Sequence, residues 1–144
     1  MNAPLYTPEI LRLTTAPGLD RRLADAMASV EKRSPVCGSR IIIDIDLDAD
    51  GRISDLGMQV RACALGQASA ALFEAHARGR HADEIAAASD AVAAWLSGER
   101  AAAPEWPGID LLAPAIPHRG RHAAIRLPFE AAADACAAIL KERG

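Results

Sequence analysis

An alternating segment at residues 40–48 constrains the fold more strongly than any other feature of the chain. Isoleucine or leucine occupies every odd position from Ile41 to Leu47, and aspartate occupies the even positions from Asp44 to Asp48. Because successive side chains of a strand point to opposite faces, this pattern predicts a strand with one buried face. The opposite face is expected to be mostly solvated.

The strand is followed by a turn and by a second strand that returns along the first. Residues 48–51 predict the turn, in which Gly51 can adopt the positive φ that tight hairpins need. Residues 52–61 predict the return strand, and Gly57 is a candidate bulge within it. The apolar candidates of the return strand are Ile53, Met58 and Val60. The segment therefore predicts an antiparallel hairpin.

Helical periodicity replaces the two-residue alternation after the hairpin. Before the hairpin we expect a short helix capped by Thr7, and a short edge strand within residues 23–34. After it we expect helices at residues 67–77, 83–96 and 128–141, with Pro128 in the first turn of the last and a proline-rich connection at residues 101–120. This segregation of strands and helices predicts an α+β fold in a single domain over residues 1–144.

Composition and charge narrow the possible functions. The chain has 144 residues and a formal net charge of −3, which excludes a general nucleic-acid coat. It lacks an apolar run long enough for a transmembrane helix, and its first residues lack the pattern of a secretory signal. We therefore expect a cytoplasmic protein with reduced cysteines. An odd number of cysteines, three, also argues against a disulfide framework.

Residues 46–51 match the start of a calcium-binding loop, Asp-x-Asp-x-Asp-Gly. The twelfth position of such a loop needs a bidentate glutamate, and here it is Gly57. The flanking segments also predict strands, whereas the calcium loop requires helices. The interpretation we favour is a hairpin turn with a solvated acidic side.

Two cysteines flank the predicted hairpin. Cys37 precedes the first strand and Cys63 follows the second, so both belong to the same end of the sheet. Cys63 also precedes a predicted helix whose dipole favours a thiolate, and Arg40 and Arg61 add positive charge nearby. Thiolates suit a soft metal ion or persulfide chemistry. The alternative is that both are small buried apolar residues.

The third cysteine and the histidines carry weaker signals. Cys136 shares a helical face with Ala132, Ile139 and Leu140, which predicts a place in the core. His118 and His122 have the spacing of a zinc-binding pair on a helix, although the neighbouring proline and glycine argue against a helix there.

The chain resembles the IscU/NifU-like iron–sulfur cluster assembly scaffolds, and most of all their SufU-type branch. The resemblance is carried by Ser-Pro-Val-Cys-Gly-Ser at residues 34–39, Asp-Gly-Arg-Ile at residues 50–53 and Cys-Ala-Leu-Gly-Gln-Ala-Ser at residues 63–69. Arg121 begins a segment similar to the third-cysteine motif of that family. The resemblance implies a SufE/NifU-like fold, in which a small antiparallel sheet packs against several helices.

The resemblance also implies a ligand set. Members of this family hold a nascent [2Fe–2S] cluster, or zinc, with three cysteines and an aspartate. Cys37 and Cys63 match the first two cysteines, whereas Ser39 stands at the aspartate position and Ala124 at the third cysteine position. His122, two residues before Ala124, is the candidate third ligand because imidazole suits zinc and iron. Ser39 is a weaker candidate.

Three functions are compatible with this pattern. The first is a scaffold or carrier that transiently binds iron or a [2Fe–2S] cluster, receives sulfur from a cysteine desulfurase and serves cluster-recipient proteins. It would be a binding protein and not an enzyme. The second is a zinc-holding persulfide acceptor with an accessory sulfurtransferase role. The third is a metal-free paralogue that acts by protein contact, with Trp95 and Trp106 either exposed for that purpose or packed in the core. None of the three calls for nucleic acid or a membrane.

Overall fold

The computed structural model describes residues 5–35 and 38–144. Cys37, the first predicted ligand, lies outside the described residues, as does Val36. In the described part of the chain, none of the helices has the length and apolar character needed to span a membrane.

The strands form one antiparallel sheet in the order β1-β4-β3-β2. Their bounds are Asp20–Arg21 for β1, Ala28–Arg33 for β2, Arg40–Leu47 for β3 and Ile53–Arg61 for β4. β3 and β4 are the predicted hairpin, and β2 is the predicted edge strand. The segment at residues 48–51 is the hairpin turn, in which the Asp48 carboxylate accepts the N–H of Asp50 at 2.9 Å.

In the described residues, four α-helices accompany the sheet, so the predicted α+β fold is confirmed. They are α1 at Pro8–Leu13, α2 at Ala64–His76, α3 at Ala82–Ser97 and α4 at His122–Arg143. Short 3-10 helices lie at Pro17–Leu19, Ile109–Ala115 and Arg119–Arg121. α4 packs on β2 and β3, and α2 and α3 pack against α4. The helices therefore cover one face of the sheet.

Local capping sets the ends of these helices. The Ile10 N–H donates to the Thr7 hydroxyl at 3.2 Å and begins α1 as predicted. His81 begins α3, since its Nδ1 accepts the N–H of Asp83 at 3.0 Å while the Glu84 carboxylate accepts the N–H of His81 at 3.0 Å. This reciprocal capping box satisfies donors that the first helical turn leaves unpaired.

The core lies between the sheet and the helices. The isoleucines of β3 at odd positions are buried there, as the alternation predicted. Phe73, Trp106 and Phe129 form an aromatic cluster, with ring centroids 5.2–5.3 Å apart. Trp106 also donates its indole N–H to the Leu72 carbonyl at 2.8 Å. Trp95 is buried as well. Both tryptophans therefore belong to the core and are not exposed for contact with a partner.

The prediction for the last helix was wrong at its start. α4 begins at His122 and not at Pro128, which lies inside the helix. Proline lacks the N–H that would bond to the Ala124 carbonyl one turn earlier, and its ring disturbs the backbone there. The Ser69 hydroxyl donates to the adjacent Ile125 carbonyl at 2.6 Å. Contacts with α2 thus stabilise a helical turn that the proline alone would disfavour.

Gly57 is not the bulge of the return strand. The register between β3 and β4 shifts at Asp46 and Leu47, near the hairpin turn. Gly57 lies instead beside the backbone at the end of β1, the edge strand opposite β2. A Cβ added at Gly57 would come 2.6 Å from the Arg21 carbonyl oxygen. Close passage of another backbone explains the glycine.

The acidic face of β3 is not solvated at Asp44, contrary to the alternation. This side chain is 0% exposed. Its carboxylate accepts hydrogen bonds from Arg22 Nε at 2.8 Å, from the Leu23 N–H at 2.9 Å and from the Ser29 hydroxyl at 2.6 Å. Burial alone would raise the pKa of Asp44, but these hydrogen bonds outweigh it and lower the pKa below its usual value. The connection from β1 to β2 therefore covers this part of the sheet.

Candidate functional site

Cys63 occupies the junction between the sheet and the first long helix. β4 ends at Arg61, and Cys63 is the N-cap of α2, with an extended backbone at φ −63° and ψ 169°. Its carbonyl accepts the N–H of Gln67 at 2.9 Å, and the residue is half-buried. As the N-cap residue, Cys63 is therefore close to the positive end of the α2 dipole.

The loop that contains the other predicted ligand is closed by its own backbone. The Ser34 N–H donates to the Ser39 carbonyl at 2.8 Å, and the Gly38 N–H donates to the Ser34 carbonyl at 3.1 Å. Gly38 has φ +73°, a conformation that favours glycine. Ser39, the weaker predicted ligand, is buried beside this closure.

The sheet register brings the two segments to the same end. Arg40, which begins β3, pairs directly with Arg61, which ends β4. Arg40 and Arg61 therefore form the last rung of the ladder, and Ser39 and Ala62 flank it at the same end of the sheet. The proximity of Cys37 to Cys63 remains a prediction, which this register favours.

Three arginines form a row across this end of the sheet. Arg33 pairs with Arg40 in the β2–β3 ladder, and Arg40 pairs with Arg61 in the β3–β4 ladder. Directly opposed residues point to the same face, here the one away from the buried Ile41. Glu31 contacts two of the three guanidinium groups, at 3.1 Å for Arg33 and 3.9 Å for Arg40. The row therefore carries more positive charge than the single Glu31 carboxylate neutralises.

Sequence reasoning named Arg40 and Arg61 but missed Arg33. Its place in the row depends on the register of the edge strand, which alternates between half-buried and exposed positions. A hydrophobic alternation at Ala28 and Val30 is the signal that assigns Arg33 to the outer face.

Ala124, at the position of the missing third cysteine, faces the start of α2. It is 1% exposed. A Cβ added at Gly66 would lie 3.2 Å from the Ala124 Cβ and 2.7 Å from the Ala62 Cβ. Position 124 is therefore packed against the first turn of the helix that Cys63 caps.

His122 is placed differently from Ala124. It is 8% exposed, and its Nε2 lies 2.8 Å from the Ile116 carbonyl oxygen. A carbonyl partner requires a proton on Nε2, which leaves Nδ1 as the nitrogen that can coordinate a metal. Residues two apart on an α-helix lie about 200° apart around its axis, so His122 and Ala124 face different sides of α4. Within residues 5–35 and 38–144, no three histidine, cysteine or acidic side chains are grouped to hold a metal.

Cys136 is a core residue, as predicted. It is buried, and burial raises the pKa of its thiol to about 11. Ala132 and Ile139 are buried with it, whereas Leu140 is exposed. A neutral thiol enclosed in the core is a poor ligand and a poor nucleophile.

Comparison with known proteins places these features in a family. A family model described as the NifU-like N terminal domain matches residues 5–109. The solved structure of the N-terminal part of a nitrogen-fixing NifU-like protein from Brucella abortus is 32% identical, with a TM-score of 0.89, and the match covers 97% of this chain and 96% of that one. No curated protein matches the chain.

Two further solved structures share the fold at lower identity. A putative iron–sulfur cluster assembly scaffold protein for the SUF system from Fervidobacterium islandicum is 19% identical, with a TM-score of 0.82 and coverage of 92% of this chain and 96% of that one. A hypothetical protein is 20% identical, with a TM-score of 0.78 and coverage of 90% and 94%. Both agree with the α+β fold described above.

Proposed function

Because this chain belongs to the NifU-like N-terminal domain family, a family of iron–sulfur cluster assembly scaffolds, we propose that it holds a nascent [2Fe–2S] cluster at the end of the sheet marked by Cys63. Scaffolds of this kind bind and release a cluster and do not turn over a substrate as enzymes do. The observation that supports the proposal is the Arg40–Arg61 pairing, because Ser39 and Ala62 flank this pair at the same end of the sheet.

The charge around Cys63 supports an anionic cargo. A [2Fe–2S] cluster whose shell is completed by four thiolates carries net negative charge, and cluster properties depend on nearby charge and hydrogen bonds. Two sources of positive charge are present: the start of α2 and the row formed by Arg33, Arg40 and Arg61. Like charges opposed across a ladder cost stability, so this row suits a ligand that neutralises it.

The protein supplies an incomplete ligand shell in this proposal. Cys37 and Cys63 provide two thiolates, while Ser39 and Ala124 replace the other two ligands of the IscU/NifU-like pattern. Clusters are usually held by four protein ligands. A partner or an added thiol would complete the shell, and an incomplete shell favours release. Coordination by His122 through Nδ1 is the alternative that a His122→Ala variant tests.

The partners follow from the chemistry of assembly. A cysteine desulfurase is the expected sulfur donor; it delivers sulfur as a persulfide, which a reductant has to convert to the sulfide of the cluster. The finished cluster then has to pass to recipient proteins. Cys63 is half-buried, so this residue is not fully enclosed in the core.

The test is anaerobic reconstitution of the purified wild-type protein with ferrous iron, L-cysteine, a cysteine desulfurase and dithiothreitol, which reduces the persulfide sulfur to sulfide. We expect iron and acid-labile sulfide in equal amounts, with the visible absorbance of a [2Fe–2S] cluster. Tightly bound zinc without iron or sulfide would contradict the scaffold and point to a persulfide acceptor. A protein that binds neither iron nor zinc would contradict both metal-binding functions and favour the metal-free paralogue.

A further inference from the structure

We propose that a cavity between the end of α3 and the start of α4 binds a small oxyanion, a carboxylate or a phosphate. The cavity has a volume of about 330 Å³. Its lining comes from one residue of α3 and from the segment that begins α4: Ser97, Arg119, Gly120, His122, Ala123 and Arg126.

The lining is cationic, although the whole chain carries a net charge of −3. Arg119 and Arg126 contribute two guanidinium groups, and none of the described lining residues is acidic. Ser97 already donates its hydroxyl proton to the Ala94 carbonyl at 3.0 Å, so the arginines are the principal donors for a ligand.

Arg126 lacks a full set of acceptors. Its Nε is buried and has no hydrogen-bond partner among the described residues. The nearest carboxylate oxygen, on Glu130, is 3.6 Å away, which is beyond hydrogen-bond range. A buried donor without an acceptor costs free energy. An oxyanion seated against this guanidinium, after a small rotation of the side chain, supplies an acceptor that Glu130 does not.

The ligand class follows from the donors and the size of the cavity. Guanidinium groups match the paired oxygens of carboxylate and phosphate, often through two parallel hydrogen bonds. The volume is near the lower end of the range for small-molecule sites, so a small anion fits better than a large cofactor. The first turn of α4 contains no acidic residue, so the positive end of the helix dipole adds to the positive charge of the two arginines.

The lining of this cavity includes His122, the alternative cluster ligand, but neither Cys63 nor Ala124. Ala124 faces α2, whereas His122 and Arg126 lie on the side of α4 that faces the end of α3. Anion binding can therefore be measured in the protein without a cluster, and its result does not depend on the proposed scaffold function.

The test is calorimetric titration of the wild-type protein with inorganic phosphate and, separately, with citrate, at constant ionic strength set by chloride. We expect saturable binding of at least one of the two, and the stronger binder identifies the source of the oxyanion. Arg126→Gln and Arg119→Gln should each weaken it about tenfold, the effect of losing one charge-assisted hydrogen bond. Arg12→Gln is the matched control, because Arg12 is an exposed arginine of α1 that lies outside the cavity lining.

Arg119 is exposed, so its variant is expected to fold even if the Arg126 variant does not. Circular dichroism melts of the unliganded variants check this. No saturable binding of either anion by the folded wild-type protein would overturn the proposal. An equal loss of affinity in Arg12→Gln would overturn it as well, because binding would then reflect general charge.

Discussion

Ala124 is the single difference from the IscU/NifU-like pattern that has the clearest consequence for metal binding, because the pattern has a cysteine ligand there. Its side chain packs against the first turn of α2, the helix that Cys63 caps. Alanine offers no metal ligand there, so a thiol placed at position 124 would lie beside the start of that helix.

Restoring the thiol should strengthen cluster retention. In Ala124→Cys we expect the reconstituted cluster to survive a chelator several-fold longer than in wild type, because a third protein ligand slows iron loss. The measurement is the decay of visible absorbance after EDTA is added. Ala132→Cys is the matched control, since Ala132 is a buried alanine of the same helix. Equal decay in both variants would contradict the assigned position.

Asp44 joins the outer face of the sheet to the connection between β1 and β2 through hydrogen bonds. In Asp44→Asn the free energy of unfolding should fall by about 2–3 kcal/mol at pH 7, because the buried carboxylate loses the charge that strengthens its hydrogen bonds with Arg22 and Ser29. Asp46→Asn is the control on the same face; its carboxylate accepts the Met27 N–H at 2.9 Å, and we expect less than half of that loss.

The pH dependence follows from the lowered pKa of Asp44. The stabilisation is present above the pKa of the unfolded chain and is lost as pH falls through the lower pKa of the folded state. Urea unfolding from pH 7 to pH 3 should therefore show the gap between wild type and Asp44→Asn closing in acid. A gap that is constant over this range would contradict the charge assignment.

For the helices and strands, local sequence patterns predicted several elements. Contacts between distant segments determine the elements that these patterns did not predict. The alternation of residues 40–48 predicted β3, and the capping residue Thr7 predicted the start of α1. The start of α4 could not be predicted, because Pro128 is a strong local stop signal and the contacts between Ser69 and Ile125 that offset it join distant segments. β1 spans only two residues and leaves no sequence pattern.

The close packing around Gly66, where α2 contacts α4, can be tested by substitution. Gly66→Ala should lower the free energy of unfolding by about 1–2 kcal/mol even though alanine favours helices, since its Cβ would come 2.7 Å from the Ala62 Cβ. Chemical denaturation measures the loss. Gly120→Ala is the matched control, because its added Cβ meets nothing within 4 Å. A more stable Gly66→Ala protein would contradict the close packing described here.

For the molecule as a whole, one face of the sheet is covered by helices and one end carries the candidate cluster site. The motifs shared with the family and the two cysteines that flank the hairpin predict a cluster site at that end, and this stays a prediction. The pairing of Arg33 with Arg40 and the cavity beside Arg126 were not predicted, because both depend on register and packing between segments far apart in the chain.

The most direct test of the central claim is the labile sulfide and iron bound after anaerobic reconstitution of single-cysteine variants. Cys63→Ala and Cys37→Ala should each lose the cluster, while Cys136→Ala, which removes a thiol enclosed in the core, should retain it at the wild-type stoichiometry. Each variant is first checked for a native thermal melt. Full cluster content in folded Cys63→Ala would contradict the account, because the cluster would then be held elsewhere.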